Sequence, residues 1–444
     1  MSKILIAFAA LCVGLSLMAS GSYGAAEDKE HRDVLDSAAR PVNPVVQWNR
    51  VLLVIIRTPK AQLPTIHPTR SFAILHAAIY DAVNAIDRTH KSYLVQLTEV
   101  RHFASQDAAA NAAAHAVLIT LYPNFQTMLD PQLQQSLAQI PDGADKAEGI
   151  SIGQAVANRI LALRSNDGSA SAPVPFIFGT APGDYQSTPP NFPPQPQFTN
   201  WSHVTPFALE RANQFRPGPP PALTSDTYSD VFNELQSLGI TESAAATPDQ
   251  ALTGRFWNGA IQNYWNEIAQ TAAMTQNLTT AQNARLFALL NLTIADDVIA
   301  FYDAKYTYNF WRPVTAIRDA ANDGNRETLA DPNWLPEVGN STPDPAYPGA
   351  HAVISASGAS VLISFFRGNH LDFTVTSEVL PGVNRPFTSF SAAAEEATLS
   401  RIFAGVHFRS DLTAGQHLGR QLADFVVDNF LTPAHGKEDS GDDR

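Results

Sequence analysis

Apolar residues recur at spacings of three and four through residues 45–56, 71–86, 108–121, 147–163, 251–272, 281–302, 351–366, 392–403 and 412–430. That period gives a helix one buried face. Alternating runs of the kind that make half-buried strands are scarce, so the pattern predicts an all-α protein. The starts carry suitable caps: Thr279 and Thr280 precede Ala281, and Ser389 and Ser391 lead into an Ala/Glu-rich stretch. Residues 165–224 break the pattern. They hold 13 of the 31 prolines, and proline removes amide donors and resists helix. Aromatic residues also recur there (Phe176, Phe178, Tyr185, Phe192, Phe198, Trp201, Phe207 and Phe215). A flexible linker has no need of them, so this segment is expected to lie extended and ordered over the helices, shaping the mouth of a pocket.

Two of the helical stretches are copies. RSFAILHAAIYDAVNA begins at Arg70 and RLFALLNLTIADDVIA begins at Arg285, an offset of 215 residues. Eight of sixteen positions are identical, among them the polar pairs Arg70/Arg285 and Asp81/Asp296. A shared amphipathic pattern alone does not place an arginine and an aspartate in register. The repeat predicts two related four-helix-bundle-like halves, at 26–164 and 225–434, joined by the proline-rich segment at 165–224. The second copy runs on into Lys305 and Arg312. The first has Leu97 where that arginine would fall, so the second half is expected to carry the site.

The 444 residues carry a formal net charge of −13, with 45% hydrophobic and 16% charged residues. This suits a globular chain and disfavours nucleic acid, which needs a basic face. Residues 1–25 combine Lys3, an apolar run and small residues, the arrangement of a secretory signal. A periplasmic or secreted protein with no membrane-spanning segment after signal removal is expected, ending in a polar tail at 435–444. The one cysteine, Cys12, lies within the signal, so disulfides and cysteine metal sites are not expected.

Against that acidic background, basic residues cluster in the last third. KYTYNFWRP holds Lys305 and Arg312, YPGAH holds His351, and SRIFAGVHFRSD holds Arg401, His407 and Asp411. Lysine and arginine neutralise an oxyanion through charge-assisted hydrogen bonds. Histidine adds a ligand, a nucleophile or a proton donor. Asp411, four residues past His407, could hold one ring nitrogen while the other faces the anion. His351 opens a helix after Pro348-Gly349-Ala350, where free amides favour anions. Metal chelation has little support: there is no H-E-x-x-H, and the single Glu99-x-x-His102 has no counterpart in the second half.

K-x6-R-P, then a Pro-x-x-His element, then S-R-x5-H-x3-D resembles the superfamily shared by vanadium-dependent haloperoxidases and type 2 phosphatidic acid phosphatases. The NFWRPVTAIR, HAAIYDAVNAI and QFRPGPPPAL stretches resemble its soluble bacterial haloperoxidase branch. The resemblance implies an all-helical fold of two bundles and a vanadate cofactor, with phosphate able to occupy the same place. Lys305, Arg312 and Arg401 would hold its oxygens, together with the amides of the Gly349-Ala350 turn. His407 would be the metal ligand, His351 the acid–base residue, and Lys305 would polarise bound peroxide. Hydrogen peroxide and a halide are then the substrates. The alternatives are a phosphatase acting on small phosphate esters through a phosphohistidine at His407, or a silent oxyanion-binding protein.

Two positions depart from the family's pattern. Gly349 and Ala350 replace the serine and glycine of the usual Pro-Ser-Gly-His, removing a hydroxyl donor. One hydrogen bond to a charged group is worth about 1.5–3 kcal/mol, so weaker anion binding is expected, restored by Gly349→Ser. Asp344 stands seven residues before His351, where an aromatic or histidine usually lies near the halide. A carboxylate there repels a halide unless it is protonated or paired, serves as a general base, or points away.

Overall fold

The computed structural model describes residues 42–434; the signal at 1–25 and the tail at 435–444 lie outside them. Helices follow the periodicity. In the first half they are α1 (Pro44–Arg57), α2 (Thr69–Asp87), α3 (Gln106–Leu121), α4 (Gln126–Ala138) and α5 (Ala144–Arg164). Beyond the proline-rich segment come α6 (Asp226–Leu238), α7 (Pro248–Phe256), α8 (Ile261–Thr275), α9 (Thr280–Tyr308) and the short α10 (Pro313–Arg318). The chain then forms α11 (Ala350–Phe366), a hairpin of β1 (His370–Thr376) and β2 (Asn384–Ser389), α12 (Phe390–Phe403) and α13 (Arg409–Asn429). The fold is mostly helical, as the pattern predicts.

Three details differ from the sequence reading. Helices α4, α6 and α10 lie outside the apolar runs, α4 burying only Leu129 and Ser136 and α10 being 6 residues long. The apolar run at 251–272 is two helices, because the chain turns at Asn258-Gly259 between α7 and α8. The antiparallel hairpin was not legible because, of the residues that bury on its inner side, only Phe373, Val375 and Phe387 are apolar and the fourth is Ser389, too few apolar alternations to read as strands.

The repeated sequence forms α2 and α9, which pack against each other in the middle of a continuous apolar core. A buried polar chain crosses between the halves. Asn49 on α1 donates to the His76 ring on α2 (2.8 Å) and to Asn266 on α8 (2.8 Å), and Asn266 exchanges hydrogen bonds with Asn291 on α9 (3.0 Å each way). His76 and Asn291 are separated by the repeat offset. Buried polar networks of this kind help to fix which elements pair.

The duplication is also visible where the sequence shows none. Gly149 and Gly153, one turn apart on α5, press against α3. Gly415 and Gly419, one turn apart on α13, press against α11. A methyl group at Gly153 or Gly419 would collide with the backbone carbonyl of Ala109 or Val353. Only glycine allows this approach, and in the second half it sets the start of α11 beside the start of α13.

The repeated aspartates pin extended chain to the helices. Asp81 accepts the amides of Tyr93, Leu94 and Val95 at 2.6, 2.9 and 2.8 Å. Asp296 accepts those of Phe207, Ala208 and Leu209 at 2.6, 2.7 and 2.7 Å. The proline-rich segment is thereby strapped to α9 without regular structure of its own, apart from one 3₁₀ turn at Trp201–His203. Further along the same strap, Gln197 reaches Asp344. A second core of Tyr228, Phe232, Phe310, Trp311, Trp334, Phe408 and Leu412 lies beneath the segments that carry the basic motifs. Among the described residues, no helix is long and apolar enough to cross a membrane.

Candidate active site

The basic motifs, far apart in sequence, converge at helix ends. Lys305 lies in the last turn of α9, Arg312 caps α10, and Arg401 lies in the last turn of α12. Ala350 and His351 open α11, and His407 precedes α13. Lys305, Arg312 and Arg401 are all buried, at 1–3% exposure. Burying three cations side by side is costly unless charge is supplied to them.

Only part of that charge comes from the chain. Asp344 is fully enclosed. Its Oδ1 pairs with Lys305 Nζ at 3.0 Å and with Arg312 Nη2, and its Oδ2 accepts Gln197 Nε2 at 2.9 Å. Burial pushes this carboxyl up, but Lys305 and Arg312 hold it below the usual carboxylate range. Asp344 therefore neither points away nor stands free to repel a halide: it is paired. Lys305 also donates to the carbonyls of Pro345 and Ala346, and burial pulls its pKa down to about 8 despite Asp344.

Arg401 has no carboxylate partner among the described residues. Nη2 donates to Asn258 Oδ1 at 2.9 Å and Nη1 to the Trp257 carbonyl at 3.4 Å, while Nε is buried without an acceptor among the described residues. Burial and then Arg312 lower its pKa to about 9. Three enclosed cations thus face a single firmly ionised carboxylate, which leaves room for an added anion.

The two histidines are held in defined tautomers. Arg312 Nη1 lies 3.1 Å from His407 Nε2, and a guanidinium can only donate. Nε2 is therefore the acceptor, and the proton sits on Nδ1, 3.2 Å from Asp411 Oδ2. Burial and the cations Arg312 and Lys305 hold His407 well below its ordinary pKa. Asp411 also accepts the Phe408 amide at 3.0 Å, and burial raises its pKa to about 7. Asp411 thus orients the ring and caps α13 at once.

His351 Nε2 lies 2.9 Å from the Trp257 carbonyl, which can only accept, so Nε2 carries the proton and Nδ1 the lone pair. Desolvation of the ring and then Arg401 keep it neutral. At the turn, the Gly349 amide donates to the Asp411 carbonyl at 2.9 Å. Of the Gly349-Ala350 pair, it is Ala350, at the first position of α11, whose amide lacks an intrahelical acceptor.

Three contributors to the site were not singled out in the sequence. Trp257 and Asn258 lie in the break between α7 and α8, and the Asn-Gly pair at 258–259 was the available signal. Gln197 sits in the strap with none. Aromatic rings flank Asp344's side of the site: Tyr302 stacks on Tyr306 at 6.0 Å, and Phe198, Trp201 and His67 pack together beside Tyr302.

An enclosed cluster of cations with two oriented imidazoles, at converging helix ends of a duplicated helical fold, is an oxyanion socket. Residues 285–436 match the family model described as the VCPO second helical-bundle domain. A vanadium chloroperoxidase of Curvularia inaequalis is 25% identical over an alignment spanning 85% of this chain and 80% of that protein. Among solved structures, a bacterial vanadium-dependent iodoperoxidase superposes with a TM-score of 0.74 at 26% identity, covering 90% of this chain and 99% of its own. An apo-type bacterial vanadium-dependent chloroperoxidase shares the fold with a TM-score of 0.66 at 15% identity, covering 86% and 96%. In sequence and fold the chain is similar to the vanadium-dependent haloperoxidases, and its second half matches their second helical-bundle domain.

Proposed function

We propose that this protein is a vanadate-dependent haloperoxidase that uses hydrogen peroxide to oxidise a halide. The observation that carries the reading is a pair of groups: the buried guanidinium of Arg401, whose Nε has no acceptor among the described residues, and the neutral His407, whose Nε2 lone pair faces Arg312 Nη1. These are the two things a metal oxyanion needs from protein: a cation for its oxygens and a neutral nitrogen for its metal.

In this reading Arg401, Arg312 and Lys305 hold the oxygens, the Ala350 amide adds a donor, and His407 Nε2 is the metal ligand. Bound vanadate supplies the Lewis-acidic centre that activates hydrogen peroxide toward a halide. Asp411 keeps the proton on His407 Nδ1, so the ligand nitrogen stays unprotonated. Lys305 places positive charge where negative charge develops. His351 presents Nδ1 as a proton acceptor rather than a donor, because Nε2 is committed to the Trp257 carbonyl. It is thus the base that receives a proton from incoming peroxide.

The purified chain reconstituted with vanadate is expected to brominate or iodinate a phenolic dye only when peroxide is present. Hydrolysis of p-nitrophenyl phosphate without vanadate, combined with no halogenation by iodide, bromide or chloride, would overturn the proposal. Export from the cytoplasm is part of the same reading and rests on the signal-like residues 1–25. Fractionation of cells making the full chain tests it, and retention of an uncleaved form in the cytoplasm contradicts it.

A further inference from the structure

Most of the nitrogens expected to hold an oxyanion already have acceptors in the chain itself, and Lys305 and Arg312 are both tied to one residue. Lys305 Nζ and Arg312 Nη2 share Asp344 Oδ1, and Arg312 Nε donates to the Asp344 carbonyl at 2.7 Å. The carboxylate is not a loose neighbour. Gln197, held on the strap and itself accepting Tyr306 Oη at its carbonyl, locks the other oxygen. Both oxygens of Asp344 are thus fixed by residues from two different parts of the chain. The cations split into two groups: Lys305 and Arg312 share one compensating carboxylate, and Arg401 has none among the described residues.

We infer that Asp344 is a built-in counter-anion that sets how the socket discriminates between oxyanions by charge, lowering its preference for doubly charged tetrahedral anions relative to singly charged ones. An entering anion meets the field of three cations reduced by one fixed negative charge within contact distance of two of them. Each added unit of negative charge on the ligand gains attraction from the three cations but meets repulsion from Asp344, so the gain per charge is smaller than the cations alone would give. Without the carboxylate, the second charge on a dianion would be welcomed by Lys305 and Arg312. The inference rests on the reading of this site as an oxyanion socket and names its specificity-determining residue.

Perrhenate and tungstate test this directly, since they share size and shape and differ by one charge. Calorimetric titration of the full chain gives the ratio of the two affinities. Asp344→Asn should shift that ratio toward tungstate by about tenfold or more, the effect of removing one charge a few ångströms away at intermediate dielectric. Gln197→Lys, at a partly exposed position, places a cation against Asp344 and should shift the ratio the same way. It decides the matter if Asp344→Asn does not fold. A purely structural role for Asp344 would lower both affinities together and leave the ratio unchanged, and that result overturns the inference. A wild-type chain that binds neither these anions nor vanadate defeats the socket reading itself, and the inference with it.

Discussion

His407 Nε2 faces Arg312 Nη1 at 3.1 Å, so the imidazole keeps its lone pair on the socket side only while Nδ1 holds the proton against Asp411. Asp411 is therefore a positioning residue for the ligand nitrogen. Asp411→Ala should weaken vanadate retention by about 10–100-fold, as loss of an orienting partner does at other metal sites, while His407→Ala abolishes it. Vanadium content after dialysis measures both. Equal retention in Asp411→Ala and wild type would show that the ring needs no partner.

Arg401 makes the opposite kind of prediction. In the oxyanion-free chain it is a buried cation with no carboxylate, and its charged form is disfavoured by its surroundings. Arg401→Met, similar in length and apolar, should leave the free protein as stable or more stable by about 1–4 kcal/mol, as replacing buried ions with well-packed apolar side chains often does. The same variant should lose the rise in Tm that phosphate or vanadate gives the wild type. Thermal melts with and without each anion separate these effects. A variant that keeps the anion-dependent rise would remove Arg401 from the socket.

Lys305 gives a pH dependence. Its folded pKa of about 8 lies below the ordinary 10.5, so between these values the unfolded chain binds the extra proton. Stability then rises with pH across that window. The penalty for burying charged Lys305 is fully present below pH 8 and is lifted as pH passes 10.5. Lys305→Met carries no such penalty. Its stability advantage over the wild type should therefore shrink by about 3 kcal/mol from pH 8 to 10.5, at 1.36 kcal/mol per pKa unit. Urea titrations at several pH values measure it, and a constant difference would mean that Lys305 titrates normally.

The amphipathic period, the repeat and the two gap-free motifs made most of the fold and the cation set legible in the sequence. The helices that bury one face announced themselves, and Lys305, Arg312, Arg401 and His407 lie in motifs whose order carries information. What was hidden depends on contacts between distant segments. Asp344 read as an ambiguous charge because its partners are Lys305 and Arg312 on one side and Gln197 on the other, and no local pattern joins them. The break at Trp257–Ala260 hid inside a continuous apolar run, yet it supplies the carbonyl that fixes His351. The close approach of α13 to α11 rests on Gly415 and Gly419, which in sequence look like ordinary helix weak points.

The strap yields a stability prediction. Asp296→Ala strands three buried amides at Phe207, Ala208 and Leu209, each costing about 1–3 kcal/mol when left unpaired. A loss of about 3–9 kcal/mol is expected, with new proteolytic cleavage near residues 205–210. Asp81→Ala should behave alike at residues 93–95. Limited proteolysis followed by mass measurement locates the cuts, and unchanged protection at both places would deny the aspartates their anchoring role.

Gly349→Ser, which looks from sequence like a simple restoration of a hydroxyl donor, is obstructed by packing. A Cβ at Gly349 would lie 2.9 Å from Leu412 Cδ2, and the Gly349 amide is already tied to the Asp411 carbonyl at 2.9 Å. The single substitution should therefore cost about 1–3 kcal/mol of stability through overpacking, offsetting the gain from the new donor. Gly349→Ser combined with Leu412→Val makes room for the Cβ. The double variant should bind phosphate more tightly than the wild type by about 10-fold or more, the worth of one hydrogen bond to a charged group. Leu412→Val alone should leave the affinity unchanged. Calorimetric titration of all three variants separates the hydroxyl from the packing. A tighter Gly349→Ser with undiminished stability would show that Leu412 yields without cost, and no gain in the double variant would show that the hydroxyl does not reach the anion.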